Sequence, residues 1–158
     1  MKIIGIDPGS AITGYAIVEQ SPKTPKLLHF GSVVTDKKDS DASRLLELYN
    51  DLCQIMERFS PDKASVEKLF FCRNQKTIIP VAQARGIILA VLEKYKIPIY
   101  EYTPMQVKLS VTGYGKSTKD EVANMTQKLV DCEKFPKLDD TADAVALAVC
   151  HIRSYISV

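Results

Sequence analysis

Four carboxylates in this chain stand where they could do chemistry together. Asp7 closes the apolar run 3–6 and is followed at once by Pro8 and Gly9; Glu67 lies near the end of the short segment KASVEK; Asp140 and Asp143 lie three residues apart in the motif DDTADA. That last spacing puts both aspartates on one face of a helix. Carboxylates gathered in one site repel and raise one another's pKa, and a divalent cation removes the conflict. An all-oxygen donor set suits Mg²⁺ or Mn²⁺ rather than zinc, and two such ions about 4 Å apart activate a water and stabilise the leaving oxygen in phosphodiester hydrolysis. Each acid alone has an ordinary reading. Asp-Pro-Gly makes turns, Glu67 could end a surface strand, and Asp139-Asp140 suits a helix N-cap. Asp143, a turn inside the helix, lies beyond the reach of capping, so the combination favours a shared site.

The elements that must bring these acids together are legible as hydrophobic periods. Residues 2–7 and 12–19, rich in Ile and Val, read as strands around the turn PGSA, which predicts a hairpin, and a third strand is expected over 27–35. The loop TDKKDSDAS offers Ser40 or Asp41 as N-cap to a helix with Leu45, Leu48, Leu52, Ile55 and Phe59 on one side, ending at Ser60-Pro61. A strand over 63–68, a helix over 77–95 and the strand IPIYEY, ending at Thr103-Pro104, come next. Helices are expected over 105–110, 118–130 and 139–155, the last packing through Ala142, Val145, Ala146, Val149 and Cys150. Three strands followed by alternating helix and strand predict a mixed α/β sheet with helices on its faces. The acids converge only if the first and fourth strands are neighbours.

The 158 residues, 46% hydrophobic and 25% charged, predict one soluble globular domain. No apolar run approaches the roughly 18 to 20 residues of a membrane span, and no signal-peptide pattern opens the chain, so a cytoplasmic protein without membrane contact is expected. Four scattered cysteines and two distant histidines fit neither structural zinc nor a disulfide framework. The net charge of +2 is uninformative, but its distribution is not: Lys68, Arg73, Lys76, Arg85, Lys94, Lys96, Lys108, Lys116 and Lys119 face only Glu93 and Glu101. This basic middle is either a solvated face or a phosphate-contacting one. GYGKST lacks the leading glycine of a phosphate loop, Ser110 standing in its place; its glycines with Lys116 and Lys119 fit contacts to a nucleic-acid backbone better. Phe70 and Phe71, flanked by Lys68, Arg73 and Lys76, read as core residues or as rings set to stack on an unpaired base. His151, about two helical turns past Asp143, reads as a helix-surface or helix-packing histidine.

Taken together, GIDPGSAITGYAIVE, VEKLFFCRN, QARGIILA, YTPMQVKLSVTGYGKSTKDEV and DDTADAVALAVCH resemble, in order and spacing, the RuvC-type Holliday-junction resolvases. The resemblance implies a ribonuclease-H-like fold, a mixed five-stranded sheet flanked by helices, as a single nuclease domain over residues 1–158. It implies a homodimer that nicks two opposed strands of four-way junction DNA in recombination and repair, using Mg²⁺, two ions per active site, with Mn²⁺ able to substitute. By that likeness Asp7, Glu67, Asp140 and Asp143 are the catalytic metal ligands, Lys108 and Lys119 approach the scissile strand, and Phe70 meets bases at the junction centre. Arg73, Lys76 and Lys116 complete the expected DNA contacts, and a branch-migration motor of the RuvA and RuvB type is the expected partner. Three other readings stay open at this point: a ribonuclease-H-like nuclease trimming ribosomal RNA precursors, an inert junction binder, and an actin-like sugar kinase, whose phosphate turn also follows a strand-end aspartate.

Overall fold

Alternation along the first strand decides the architecture. The computed structural model describes residues 1–69, 75–137 and 139–156. Strand β1 (Lys2–Asp7) is buried from Ile3 onward and pairs antiparallel with β2 (Ile12–Glu19) on one side and parallel with β4 (Lys63–Glu67) on the other. Strand β3 (Lys26–Val34) extends the antiparallel side and β5 (Ile99–Tyr102) the parallel side, in the order β3-β2-β1-β4-β5. This is a ribonuclease-H-like sheet. The first and fourth strands are neighbours, as convergence of the acids requires.

With side chains alternating across the pleat, Ile4 and Ile6 face one core and Ile3 the other. Helices α1 (Asp41–Phe59) and α2 (Gln75–Lys94) supply the core around Ile4 and Ile6, including Leu48, Leu52, Ile88 and Leu92. Helices α3 (Pro104–Thr112), α4 (Lys119–Leu129) and α5 (Asp140–Ile156) supply the other, including Val107, Val122 and Val145. One packing face, Ala142, Val145, Ala146, Val149 and Cys150, is expected on α5, but the helix is buried nearly all round: Ala144, Leu147 and Ala148 are as inaccessible as Val145 and Val149. The sheet covers one side, and α3 and α4 the other.

Local chemistry sets the ends. Ser40, rather than Asp41, caps α1 by accepting the Ser43 N–H at 3.2 Å, and Ser60 closes the helix in the left-handed region at φ 46°. Reciprocal capping boxes open α3 (Thr103 with Gln106) and α4 (Thr118 with Glu121). The Thr103 box starts α3 at Pro104 and Gly113, in the left-handed region, ends it after Thr112, so it runs beyond the expected 105–110 at both ends. Among the described residues, no helix is long and apolar enough to cross a membrane.

Candidate active site

The pleat aims the acids. Residues 3, 5 and 7 of β1 share a face, and the register Gly5↔Ser65 puts Glu67 beside Asp7 on that same face, beneath α5. The buried Ser65 hydroxyl donates to the Leu147 carbonyl at 2.7 Å, tying β4 to α5. Asp139 accepts the N–H groups of Thr141 and Ala142 at 2.9 and 3.3 Å, so it takes over the capping role and leaves Asp140 for the site. Ligand oxygens of Asp7, Asp140 and Asp143 lie within 4.8 Å of one another, and Glu67 stands close enough for its charge to raise the Asp7 pKa.

Two supports were not foreseen from the sequence. Gly14 pairs with Asp7 across the hairpin, and a Cβ there would lie 2.2 Å from the Asp140 carbonyl oxygen, so only glycine lets α5 begin so close to the sheet. A glycine inside a strand is itself the signal of a close backbone approach. Arg44 on α1 donates to the Ser10 carbonyl at 2.7 Å and the Thr35 hydroxyl at 3.1 Å, clamping the turn that follows Asp7. A partner 34 residues away leaves no local sequence signal.

Crowding is visible in the proton affinities. Burial, then the charges of Glu67, Asp143 and Asp140, pushes Asp7 up to about 9. Burial raises Glu67 and Asp140 as well. Lys119 donates to Asp143 at 2.9 Å, and that bond, assisted by the charges of Asp143, Asp140 and Asp7, raises the lysine. A carboxylate that holds its proton at neutral pH among three others is a donor set short of positive charge. Its oxygens fit a divalent cation of the Mg²⁺ or Mn²⁺ class.

Of the basic residues expected to meet DNA, Lys108 and Lys119 line a cleft of about 220 Å³ together with Glu67 and Asp143. Lys116 is exposed on the α3–α4 connection and Lys76 is exposed near the start of α2. Phe70 and Arg73 lie outside the described residues. Arg85 pairs with Glu101 on the opposite face of the sheet, Lys96 pairs with Glu93 at 2.5 Å, and Lys94 sits over the rings of Tyr49 and Tyr95. Those three cations have partners other than the residues of the cleft. GYGKST links two helices: Gly113 ends α3 at φ 80°, and Thr118 caps α4. His151 is fully buried against Tyr100, its Nδ1 2.7 Å from the Tyr102 hydroxyl.

Comparison with known proteins gives the chain relatives in both sequence and fold. The family described as crossover junction endodeoxyribonuclease RuvC matches residues 3–151. The chain is 43% identical to a crossover junction endodeoxyribonuclease RuvC of Caldicellulosiruptor saccharolyticus, over 100% of this chain and 96% of that protein. Its structure is similar to T. thermophilus RuvC in complex with Holliday junction substrate, with a TM-score of 0.91 and 31% identity over 98% of this chain and 94% of that one. A Fowlpox virus resolvase in complex with Holliday junction DNA shares the fold at a TM-score of 0.63 and 18% identity, over 96% of this chain and 99% of that one.

Proposed function

Because the chain belongs to the crossover junction endodeoxyribonuclease RuvC family, we propose that it resolves four-way DNA junctions by paired symmetric nicks, with Asp7, Glu67, Asp140 and Asp143 holding two Mg²⁺ ions. The observation that carries this reading is the approach of Asp7, Asp140 and Asp143 within 4.8 Å beside Lys119 and Glu67. A metal-dependent hydrolase needs such oxygens held rigidly before substrate arrives. Here they stand on a central strand, its parallel neighbour and the first turn of a buried helix. When bound, the ions would lower the pKa of an attacking water and neutralise charge on the scissile phosphate.

The chain's own groups do the rest. Lys108 and Lys119, on opposite helices of the cleft, bind non-bridging phosphate oxygens and draw the strand toward the acids. Lys116, Lys76, Arg73 and Phe70 extend the contact along the junction arms and its centre. The whole of residues 1–158 acts as a single nuclease domain in the cytoplasm, and two copies related by a two-fold axis supply the two opposed cuts, which one active site cannot make at once. A branch-migration motor of the RuvA and RuvB type brings junctions to it.

The test is cleavage of a labelled mobile junction, beside duplex, single strand and structured RNA, with Mg²⁺, Mn²⁺ or EDTA. Metal-dependent paired nicks confined to the junction are expected. Cleavage of structured RNA in preference to the junction would replace this reading with that of an RNA-processing nuclease.

A further inference from the structure

Tyr114 combines an exposed side chain with a tightly held backbone. Its side chain belongs to a residue 60% exposed at the tip of the α3–α4 connection. Its N–H donates to the Thr112 hydroxyl at 3.1 Å, and its carbonyl accepts from the Ser117 N–H at 3.2 Å and the Ser117 hydroxyl at 2.9 Å. Ser117 is buried, with its hydroxyl 2.6 Å from that of Thr112, and the Thr112 hydroxyl in turn reaches the Lys108 carbonyl at 2.9 Å. The peptide units on both sides of Tyr114 are thereby fixed to the same helix turn that presents Lys108 to the cleft. Exposing a large ring costs solvation, and ordering its loop costs conformational entropy. A loop that does both holds the ring ready for something outside the chain.

The surroundings indicate what that is. Gly113 and Gly115 neighbour Tyr114 in the chain; a Cβ at Gly113 would meet nothing within 4 Å, whereas one at Gly115 would meet Met105 at 3.1 Å, so space is open on the Gly113 side. From Tyr102 to Lys119 the chain has three lysines, Lys108, Lys116 and Lys119, and no acidic residue. An accessible aromatic ring among cations on a locked loop is what stacking on a base beside a bound phosphate backbone requires. Ser117, bonded to Tyr114, is two residues from Lys119, a reach of at most about 7 Å of chain. Tyr114 therefore stands on the connection that leads into Lys119, whose ammonium reaches Asp143 of the acidic cluster at 2.9 Å.

We propose that Tyr114 is a base-stacking contact, holding an unpaired nucleotide that neighbours the strand cut at the acidic cluster. This rests on the resolvase reading above. The phenol ring supplies the contact and its hydroxyl is dispensable.

The chain has no tryptophan, so Tyr114→Trp introduces one fluorophore at the proposed contact. Its emission is followed as four-way junction is added in EDTA, where no strand is cut, while anisotropy of labelled junction reports binding by the wild-type chain and the Tyr114→Phe and Tyr114→Ala variants. The expected result is quenching of the tryptophan on junction binding, wild-type affinity for Tyr114→Phe, and affinity weakened about fivefold or more for Tyr114→Ala, whose exposed side chain leaves the melting temperature unchanged. Junction bound with unaltered affinity by Tyr114→Ala and without tryptophan quenching overturns the stacking role while leaving the resolvase reading intact. Failure of the wild-type chain to bind the junction overturns both.

Discussion

The ammonium of Lys119 lies 2.9 Å from Oδ2 of Asp143, so the first residue of α4 places a positive charge on the helix face that carries two of the clustered acids. The lysine is more than half exposed and the aspartate about a quarter exposed, which makes the pair weak enough to exchange. A divalent cation and this ammonium compete for the same carboxylate. Lys119→Met is expected to bind Mn²⁺ about two- to fivefold more tightly, the equivalent of a partly exposed ion pair, while cutting junctions more slowly for want of its phosphate contact. Titration of free Mn²⁺ by electron paramagnetic resonance checks the first and single-turnover cleavage the second.

Asp7 carries the opposite strain. Its ordinary pKa of 3.8 is raised to about 9 in the folded chain, so between those values the fold retains a proton that the unfolded chain releases. Raising the pH across that window therefore destabilises the metal-free protein. Asp7→Asn, which needs no such proton, is expected to flatten this alkaline decline and to melt at a higher temperature than wild type at pH 8 in EDTA. It is also expected to abolish strand cleavage while junction binding is largely kept. Thermal melts across pH 5–9 beside a cleavage assay test both halves; retained cleavage would remove Asp7 from the catalytic set.

Gly14 controls where Asp140 begins. An alanine methyl would sit 2.2 Å from the Asp140 carbonyl oxygen, a backbone atom that cannot rotate aside, so α5 must shift. Gly14→Ala is expected to cost about 1–3 kcal/mol of stability, typical of overpacking, and to weaken metal binding by moving Asp140 and Asp143 away from Asp7. Chemical denaturation with Mn²⁺ titration separates the two effects. Wild-type metal affinity in a destabilised variant would show that the helix start does not set the site.

His151 governs the acid side. Burial, then the charge of Lys63, lowers its pKa to about 4 from the ordinary 6.5. The neutral imidazole is the form the fold accepts, so this contribution to stability is complete above about pH 6.5 and is lost as pH falls toward 4. His151→Asn is expected to melt lower at pH 7, because packing against Tyr100 is lost, and to decline less steeply between pH 6.5 and 4. Melting curves across that interval decide it.

Sequence alone carried much of this protein. The apolar runs of β1 and β2 and the helical period of α1 are set by which residues must leave water, a property each segment holds by itself, so those elements and the mixed sheet were readable in advance. The four acids stood out as candidates for one site, since Asp143 sits too far inside its helix to cap it. What the sequence left open were choices between equivalent local partners and everything joined through space. Ser40 or Asp41 could cap α1, and Asp139 or Asp140 could cap α5; only the folded positions assign Asp139 to the helix end and Asp140 to the cluster. A row of lysines and arginines does not reveal that Arg85 is spoken for by Glu101 on the far face while Lys108 and Lys119 share a cleft. Arg44 and Gly14 act on the site through partners on other elements. Local propensity and burial act along the chain, but packing distance and charge pairing exist only once the sheet has closed β1 against β4 and brought α5 down on both.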